Sequence, residues 1–152
     1  MKIKNGFSRL LVTLAASAVV VSVAGGCISV VPYEPNVGLV AAKGAPEVNR
    51  ICAEVMNRAV NPHVTAVDVT DEYLRYAWIQ TQMGPFYTEI NTPAENRIYY
   101  VNLARVEIYQ NFNVYVWGPQ DSRVDKVMFS NMEDAKLFAD CLMSLKSAHK
   151  KS

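Results

Sequence analysis

The chain has 152 residues, of which 51% are hydrophobic and 19% charged, and its formal net charge is +1. Three of its 15 Lys and Arg lie within the first nine residues, so the rest of the chain carries 12 against 14 Asp and Glu, a net charge of about −2. A length of this order suits one modest domain. Because no long basic run is present, the composition argues against a nucleic-acid-binding protein.

The first 27 residues are typical of an export signal. Three cations precede a charge-free stretch over residues 10–24 that is rich in Leu, Val and Ala. The stretch ends in Gly25-Gly26-Cys27, which resembles the lipobox of bacterial lipoproteins, where the Cys is lipidated on sulfur and becomes the mature N-terminus. Two alternatives stay open: ordinary signal-peptidase cleavage near residues 24–26, and an uncleaved helix over residues 10–31, whose 22 residues could span a bilayer.

The lipobox resemblance implies a signal peptide over residues 1–26 and a lipid anchor at Cys27. In Gram-negative lipoproteins an Asp directly after the Cys retains the protein at the inner membrane, and this chain has Ile28 there. The resemblance therefore implies a lipid-anchored protein on the periplasmic face of the outer membrane, or a cell-surface anchor in an organism that lacks an outer membrane.

Residues 27–44 read as a flexible tether, because Pro32, Pro35, Gly38 and Gly44 interrupt a stretch with little charge. A coil of this length would span on the order of 20 to 25 Å. The alternative is that three apolar residues of the segment pack on the domain instead of facing water: Val37, Leu39 and Val40.

Two amphipathic helices are predicted. The first starts at Pro46 and runs to about Ala59, with apolar residues at three- and four-residue steps. The second follows Ser130 and Glu133, which fit a capping box, and runs to about Ser147. We therefore expect a single domain over residues 45–147 and a disordered tail over residues 148–152.

Between the helices the apolar period changes to two, and β-branched and aromatic residues dominate. Turn-forming residues separate most of the runs, including the segment 92–96, which contains Pro93 and Asn96. Seven strands are predicted: residues 64–69, 73–81, 86–91, 97–103, 105–110, 113–118 and 124–130.

Seven short strands followed by one amphipathic helix resemble the order of pleckstrin-homology-like (PH-like) domains. The resemblance covers residues 64–145 and depends on patterns such as residues 98–106 and the passage from Phe129 into Phe138. It implies an α+β fold, a seven-stranded antiparallel sandwich or barrel with a C-terminal helix, to which the N-terminal helix is an addition. A phosphoinositide-binding role is not implied, because the first hairpin loop, residues 70–72, is acidic.

Two cysteines remain beyond Cys27. Cys52 lies on the apolar stripe of the first helix and Cys141 beside that of the second. In an exported chain an even pair predicts a disulfide between the two helices. The alternative is a pair of buried thiols, since free Cys often serves as a small core residue.

The sequence offers little for catalysis. Its two histidines, His63 and His149, are isolated, whereas a metal site or an activated nucleophile needs several converging groups. The acidic residues Asp68, Asp71 and Glu72 lack the EF-hand spacing and read as a solvated turn. We therefore expect no enzymatic activity, no metal and no cofactor.

One row of aromatic residues is a candidate interface. If Val114 and Val116 face inward, Tyr115 and Trp117 face outward on the same strand, and Tyr109 joins them from the strand before. Patterning alone also allows the opposite, with the aromatic residues in the core. The leading expectation is a non-catalytic module that binds or scaffolds another envelope protein. The alternative is a small-ligand-binding lipoprotein whose cleft lies between the sheet and the first helix.

Overall fold

The structure, a computed structural model, describes residues 28–150. The predicted signal peptide, the cleavage site near residues 24–26 and the anchor Cys27 lie outside the described residues. Of the alternative helix over residues 10–31 only residues 28–31 are described, and there Val30–Val31 form a strand. Ten elements follow in chain order: β1 (Val30–Val31), α1 (Leu39–Lys43), α2 (Ala45–Met56), β2 (Val64–Val69), β3 (Tyr73–Met83), β4 (Glu89–Tyr99), β5 (Arg105–Tyr109), β6 (Asn113–Trp117), β7 (Arg123–Met128) and α3 (Met132–His149).

The fold is α+β, with two antiparallel sheets and a C-terminal helix. One sheet has three strands in the order β2-β3-β4, and the other has four in the order β1-β5-β6-β7. The sheets do not close into a barrel. Both α2 and α3 contribute to one continuous core, in which Cys52, Met56, Phe138 and Leu142 are fully buried. None of the helices described is long and apolar enough to cross a membrane.

The count of seven strands is as predicted, but the strands are not the same seven. Residues 86–91 and 97–103 were expected as two strands, whereas one strand, β4, runs from Glu89 to Tyr99. The segment 92–96 is therefore not a turn, because it pairs residue by residue with β3, from Gln80↔Thr92 to Tyr76↔Asn96. Proline is tolerated here because β4 is an edge strand. The seventh strand is β1, which lies in the segment predicted to be a tether.

The prediction of a flexible tether is wrong for residues 28–43, which we call the N-terminal segment. Val30 pairs with Tyr109 in β5, and Leu39 and Val40 pack against the core. The backbone N–H of Val40 donates to Ser144 Oγ of α3 at 2.9 Å. The alternative, that apolar residues of the segment pack on the domain, therefore holds for Leu39 and Val40, whereas Val37 is exposed.

The ends of α3 also differ from the prediction. The N-cap is Asn131, not Ser130, because Asn131 Oδ1 accepts from the N–H of Asp134 at 2.8 Å. The helix continues to His149, so the first two residues of the predicted disordered tail are helical. Similarly, α2 ends at Met56, three residues before the predicted end.

Candidate functional site

Tyr109, Tyr115 and Trp117, the aromatic row, lie on the outer face of the four-stranded sheet. Val114 and Val116 are fully buried, whereas the side chains that alternate with them, Tyr115 and Trp117, are partly exposed. The valines of β6 therefore face the core, and the aromatic side chains face outward. Tyr109 comes from β5, beside β6 in the same sheet.

The three rings contact one another along the sheet. The centroids of Tyr109 and Tyr115 lie 4.7 Å apart, and Tyr115 and Trp117 stack with an interplanar angle of 18° at 6.2 Å. Cations lie over these rings: the Arg105 guanidinium is 5.0 Å from the Trp117 centroid, and Lys126 Nζ is 5.6 Å from that of Tyr115. The row is therefore an ordered aromatic surface with positive charge at its border.

Glu107 organises the polar edges of the row. Its carboxylate accepts from Trp117 Nε1 at 2.8 Å and from Arg105 Nε at 3.0 Å, and it lies 3.5 Å from the Tyr109 hydroxyl. Burial and the neighbouring carboxylate raise the pKa of Tyr109. Because Trp117 Nε1 already donates within the sheet, the row offers a partner its aromatic surface together with the cations beside the rings.

A second apolar surface was not predicted from the sequence. It lies at the end of the β3–β4 hairpin, where Phe86 is 96% exposed and Tyr87 90% exposed. Ile79, Met83 and Ile90 are also exposed close by, and we call these five residues the hairpin tip. Large apolar side chains grouped at a surface usually mark a contact with a partner or a membrane.

The loop at the hairpin tip has a twin in the same molecule. Residues 84–88 read Gly-Pro-Phe-Tyr-Thr, and residues 118–122, between β6 and β7, read Gly-Pro-Gln-Asp-Ser. In both loops the Gly N–H donates to the carbonyl oxygen of the fifth residue at 2.7 Å, and the hydroxyl of that residue donates to the Pro carbonyl oxygen at 2.8 Å. The third and fourth residues have φ between 57° and 60° in both. The two loops differ at these exposed positions, which are aromatic in one and polar in the other.

Cys52 and Cys141 are brought together in the core between α2 and α3. Both are free and fully buried. Burial, and then the neighbouring Cys141 side chain, raises the pKa of the Cys52 thiol well above its ordinary value. The predicted disulfide stays a prediction, with its two sulfurs placed as neighbours.

A cleft of about 240 Å³ lies where α2 begins and α3 ends, beside the β2–β3 turn. Its lining includes Asn49, Asp71, Glu72 and His149. Asn49 Oδ1 is buried and has no hydrogen-bond partner, whereas His149 Nδ1 lies 3.2 Å from the Asp71 carbonyl oxygen. The cleft therefore combines two acidic residues with one buried acceptor, Asn49 Oδ1, that has no hydrogen-bond partner.

The two histidines do not form a common site. His63 is exposed, and His149 belongs to α3. Within residues 28–150, no group of three or more His, Cys, Asp or Glu is arranged to hold a metal ion.

No protein-family model matches the chain, and neither a curated protein nor a solved structure is significantly similar to it.

Proposed function

We propose that this protein is a lipoprotein, anchored through Cys27 to the periplasmic face of the outer membrane, that binds another envelope protein without catalysing a reaction. The lipobox-like sequence supports the anchor. The aromatic row supports the binding role, and it is the single observation that carries the proposal. Tyr and Trp bury a large area with few rotatable bonds, so they are favoured at the centres of protein interfaces.

The partner is a protein surface that carries carboxylates. Arg123 and Lys126 lie 5.8 and 5.6 Å from the ring centroid of Tyr115, whereas Arg105, beside Trp117, is already paired with Glu107 and Asp121. A partner that covers the rings would bring its own side chains next to these cations, and acidic side chains are the complementary ones.

Crosslinking in cells, followed by identification of the captured protein, tests this role. Replacing Tyr115 and Trp117 by Ser should abolish capture. A matched control is Tyr99→Ser, because Tyr99 belongs to another exposed aromatic pair, 5.6 Å from Tyr73, on the other sheet. Capture that survives the double substitution, or is lost equally in the control, would contradict the assignment of the interface.

The anchor has its own test. Cells supplied with labelled palmitate should label the wild-type protein and not the Cys27→Ala variant. Retained labelling in that variant would refute the anchor at Cys27.

We also propose that Cys52 and Cys141 form a disulfide after export. Their burial side by side supports it, and the bridge would contribute on the order of 3 to 4 kcal/mol by constraining the unfolded chain. Mass spectrometry of the exported protein after thiol alkylation, with and without reductant, should show two thiols that appear only on reduction. Two alkylated thiols without reductant would reject the bridge.

The relationship to PH-like domains also remains a proposal. Two antiparallel sheets of four and three strands and a helix after the last strand support it. The strand order departs from the expected one in two places. β1 comes from the N-terminal segment, and two predicted strands are fused in β4.

A small-ligand-binding lipoprotein is the second candidate function. The cleft beside Asn49 favours it, although a volume of about 240 Å³ would hold only a small molecule. Native mass spectrometry of the protein as isolated from cells should then show a bound mass. Ala148→Phe, which narrows the cleft, should remove that mass, and its absence from the wild-type protein would reject this candidate.

A further inference from the structure

The end of the β3–β4 hairpin extends beyond the rest of its sheet. β2 pairs with β3 only as far as Trp78, so Ile79 to Met83 pair with β4 alone. At about 3.3 Å per residue, these five residues extend the hairpin by roughly 17 Å, before the loop is counted. The hairpin tip is therefore held away from the domain on a two-stranded arm.

The arm carries almost no charge, and each of its faces mixes exposed apolar side chains with uncharged polar ones. Met83 is opposite Glu89 on one face, and Ile90 is opposite Gln82 on the other. Between Arg75 and Glu95 the only charged residue is Glu89. The most exposed apolar side chains are concentrated at the end, in Met83, Phe86 and Tyr87. An apolar end on an arm whose other side chains are mostly polar and uncharged suits a boundary between an apolar and an aqueous medium.

Folding of the loop does not explain Phe86 and Tyr87. The twin loop makes the same turn and the same hydrogen bonds with Gln120 and Asp121 at these positions. Left-handed backbone geometry, with φ of 60° for both aromatic residues, disfavours bulky side chains in general. Formation of the turn therefore does not account for two exposed aromatic residues at these positions.

We propose that the hairpin tip inserts into the interfacial layer of the bilayer that carries the lipid anchor. This inference rests on the proposed anchor at Cys27. Because the N-terminal segment is docked on the domain, only Ile28 and Ser29 separate Cys27 from β1, a distance of at most about 10 Å. The bilayer surface would thus lie close to the domain, from which the arm extends by roughly 17 Å.

The chemistry of the tip suits this layer. Aromatic side chains are favoured at the boundary between headgroups and acyl chains, where Tyr can keep its hydroxyl hydrated. The loop pairs part of its own backbone, since Gly84 N–H donates to Thr88 and Thr88 donates to Pro85, which lowers the penalty for leaving water. Because its single charge is negative, the arm should prefer neutral lipids to anionic ones.

Strand addition by a partner protein is less well supported. Pro93 removes a backbone donor from the free edge of β4, and the free edge of β3 beyond Trp78 is only five residues long. Strand addition would also leave the exposure of Phe86 and Tyr87 unexplained.

Fluorescence depth measurements on the exported, processed protein in phosphatidylcholine vesicles test the proposal. Phe86→Trp places an indole at the tip, and the emission of Trp78 and Trp117 is subtracted with the wild-type protein. The added emission should shift to shorter wavelength and be largely lost with brominated phosphatidylcholine. The matched control is Gln120→Trp, which places the same side chain in the twin loop and should not be quenched.

A second variant keeps the test independent of the added indole. In F86Q/Y87D the tip takes the residues of the twin loop, so the turn should form as before, which circular dichroism can verify. Partitioning of the mature chain, residues 27–152 produced without the signal and therefore without acyl chains, should fall about a hundred-fold or more with this exchange, because each of the two buried aromatic residues contributes about ten-fold or more.

The anchor and the hairpin have different readouts. Flotation of the processed protein with vesicles reports the lipid anchor, and quenching of the indole in the Phe86→Trp variant reports the tip. Flotation without quenching would overturn the insertion of the hairpin and leave the anchor standing. Crosslinks from position 86 to an envelope protein, with no quenching by brominated lipid, would show a protein as the occupant and equally overturn the proposal. Stronger binding to anionic than to neutral vesicles would contradict its charge argument.

Discussion

Removing the Asp140 carboxylate should release the N-terminal segment from α3 while the domain stays folded. Asp140 Oδ1 accepts two hydrogen bonds from this segment, from the Tyr33 hydroxyl at 2.6 Å and from the backbone N–H of Asn36 at 2.7 Å. Burial and these contacts with Asp140 raise the pKa of Tyr33. One carboxylate oxygen thus holds two points of the segment.

The expected effect follows from these two bonds. A hydrogen bond to a charged group contributes about 1.5–3 kcal/mol when it is buried, but both donors here can reach water once the carboxylate is gone. We therefore expect Asp140→Ala to weaken docking by about 1.5–2 kcal/mol in total. That corresponds to roughly ten- to thirty-fold more frequent opening of the segment.

Hydrogen exchange measured peptide by peptide checks the prediction. Amides of residues 29–42 should exchange faster in Asp140→Ala, while those of β6 should keep their protection. The Tyr33 phenolate should also form at a lower pH, because the neighbouring negative charge has been removed. Glu133→Ala, an exposed acid on the same helix, is the control and should change neither. Unchanged exchange over residues 29–42 would show that the carboxylate does not hold the segment.

Three further substitutions have defined outcomes. Burial raises the pKa of Asp125 in the folded protein above its ordinary value of 3.8, so the folded state retains this proton longer than the unfolded state. Stability should therefore fall as pH rises from about 3.8 through the folded pKa, and urea unfolding of Asp125→Asn should lack this component. In Gly118→Ala the new Cβ would lie 3.1 Å from the Asn102 carbonyl oxygen, a backbone atom, whereas in Gly84→Ala it would meet the movable end of Ile90 at 2.6 Å. Thermal unfolding should therefore show a loss of about 1–3 kcal/mol for the first and less for the second, and equal losses would contradict the contact at Asn102.

Local patterns predicted the helices and several strands well, because each depends on residues that are near in sequence. The apolar stripe of α2 and the alternation in β6 are of this kind. The segment 92–96 was misread because Pro93 is a turn former, and only its pairing with Ile79 in β3 shows that it is part of an edge strand. Pairing partners of this kind cannot be read from a local window.

The N-terminal segment was misread for a related reason. It docks through single long-range contacts, such as Tyr33 to Asp140 and Val40 to Ser144, each more than 100 residues apart in sequence. Proline and glycine content, by contrast, describes only local stiffness. A contact with a distant residue therefore overrode a composition that is typical of linkers.

Local sequence patterns also predicted the candidate interfaces only in part. Alternation along β6 predicted that Tyr115 and Trp117 share a face, but only the burial of the two intervening valines shows that this face points outward. The hairpin tip was missed because Gly84-Pro85 reads as an ordinary turn, and exposure cannot be seen in a turn signal. The charge-free stretch between Arg75 and Glu89 was the available clue.

The docked N-terminal segment would couple the proposed anchor to the aromatic row. A flexible tether would let an anchored domain tumble, whereas two residues between a lipidated Cys27 and β1 would leave it little freedom, and an inserted hairpin tip would add a second attachment. Two attachments fix the direction in which the row faces, which lowers the orientational cost of binding a membrane partner. The F86Q/Y87D variant should therefore capture less partner in cells, although Tyr115 is untouched, and lengthening the link by a Gly/Ser insert after Ser29 should weaken capture in the same way. Undiminished capture in both variants would show that the row works without a fixed orientation at the membrane.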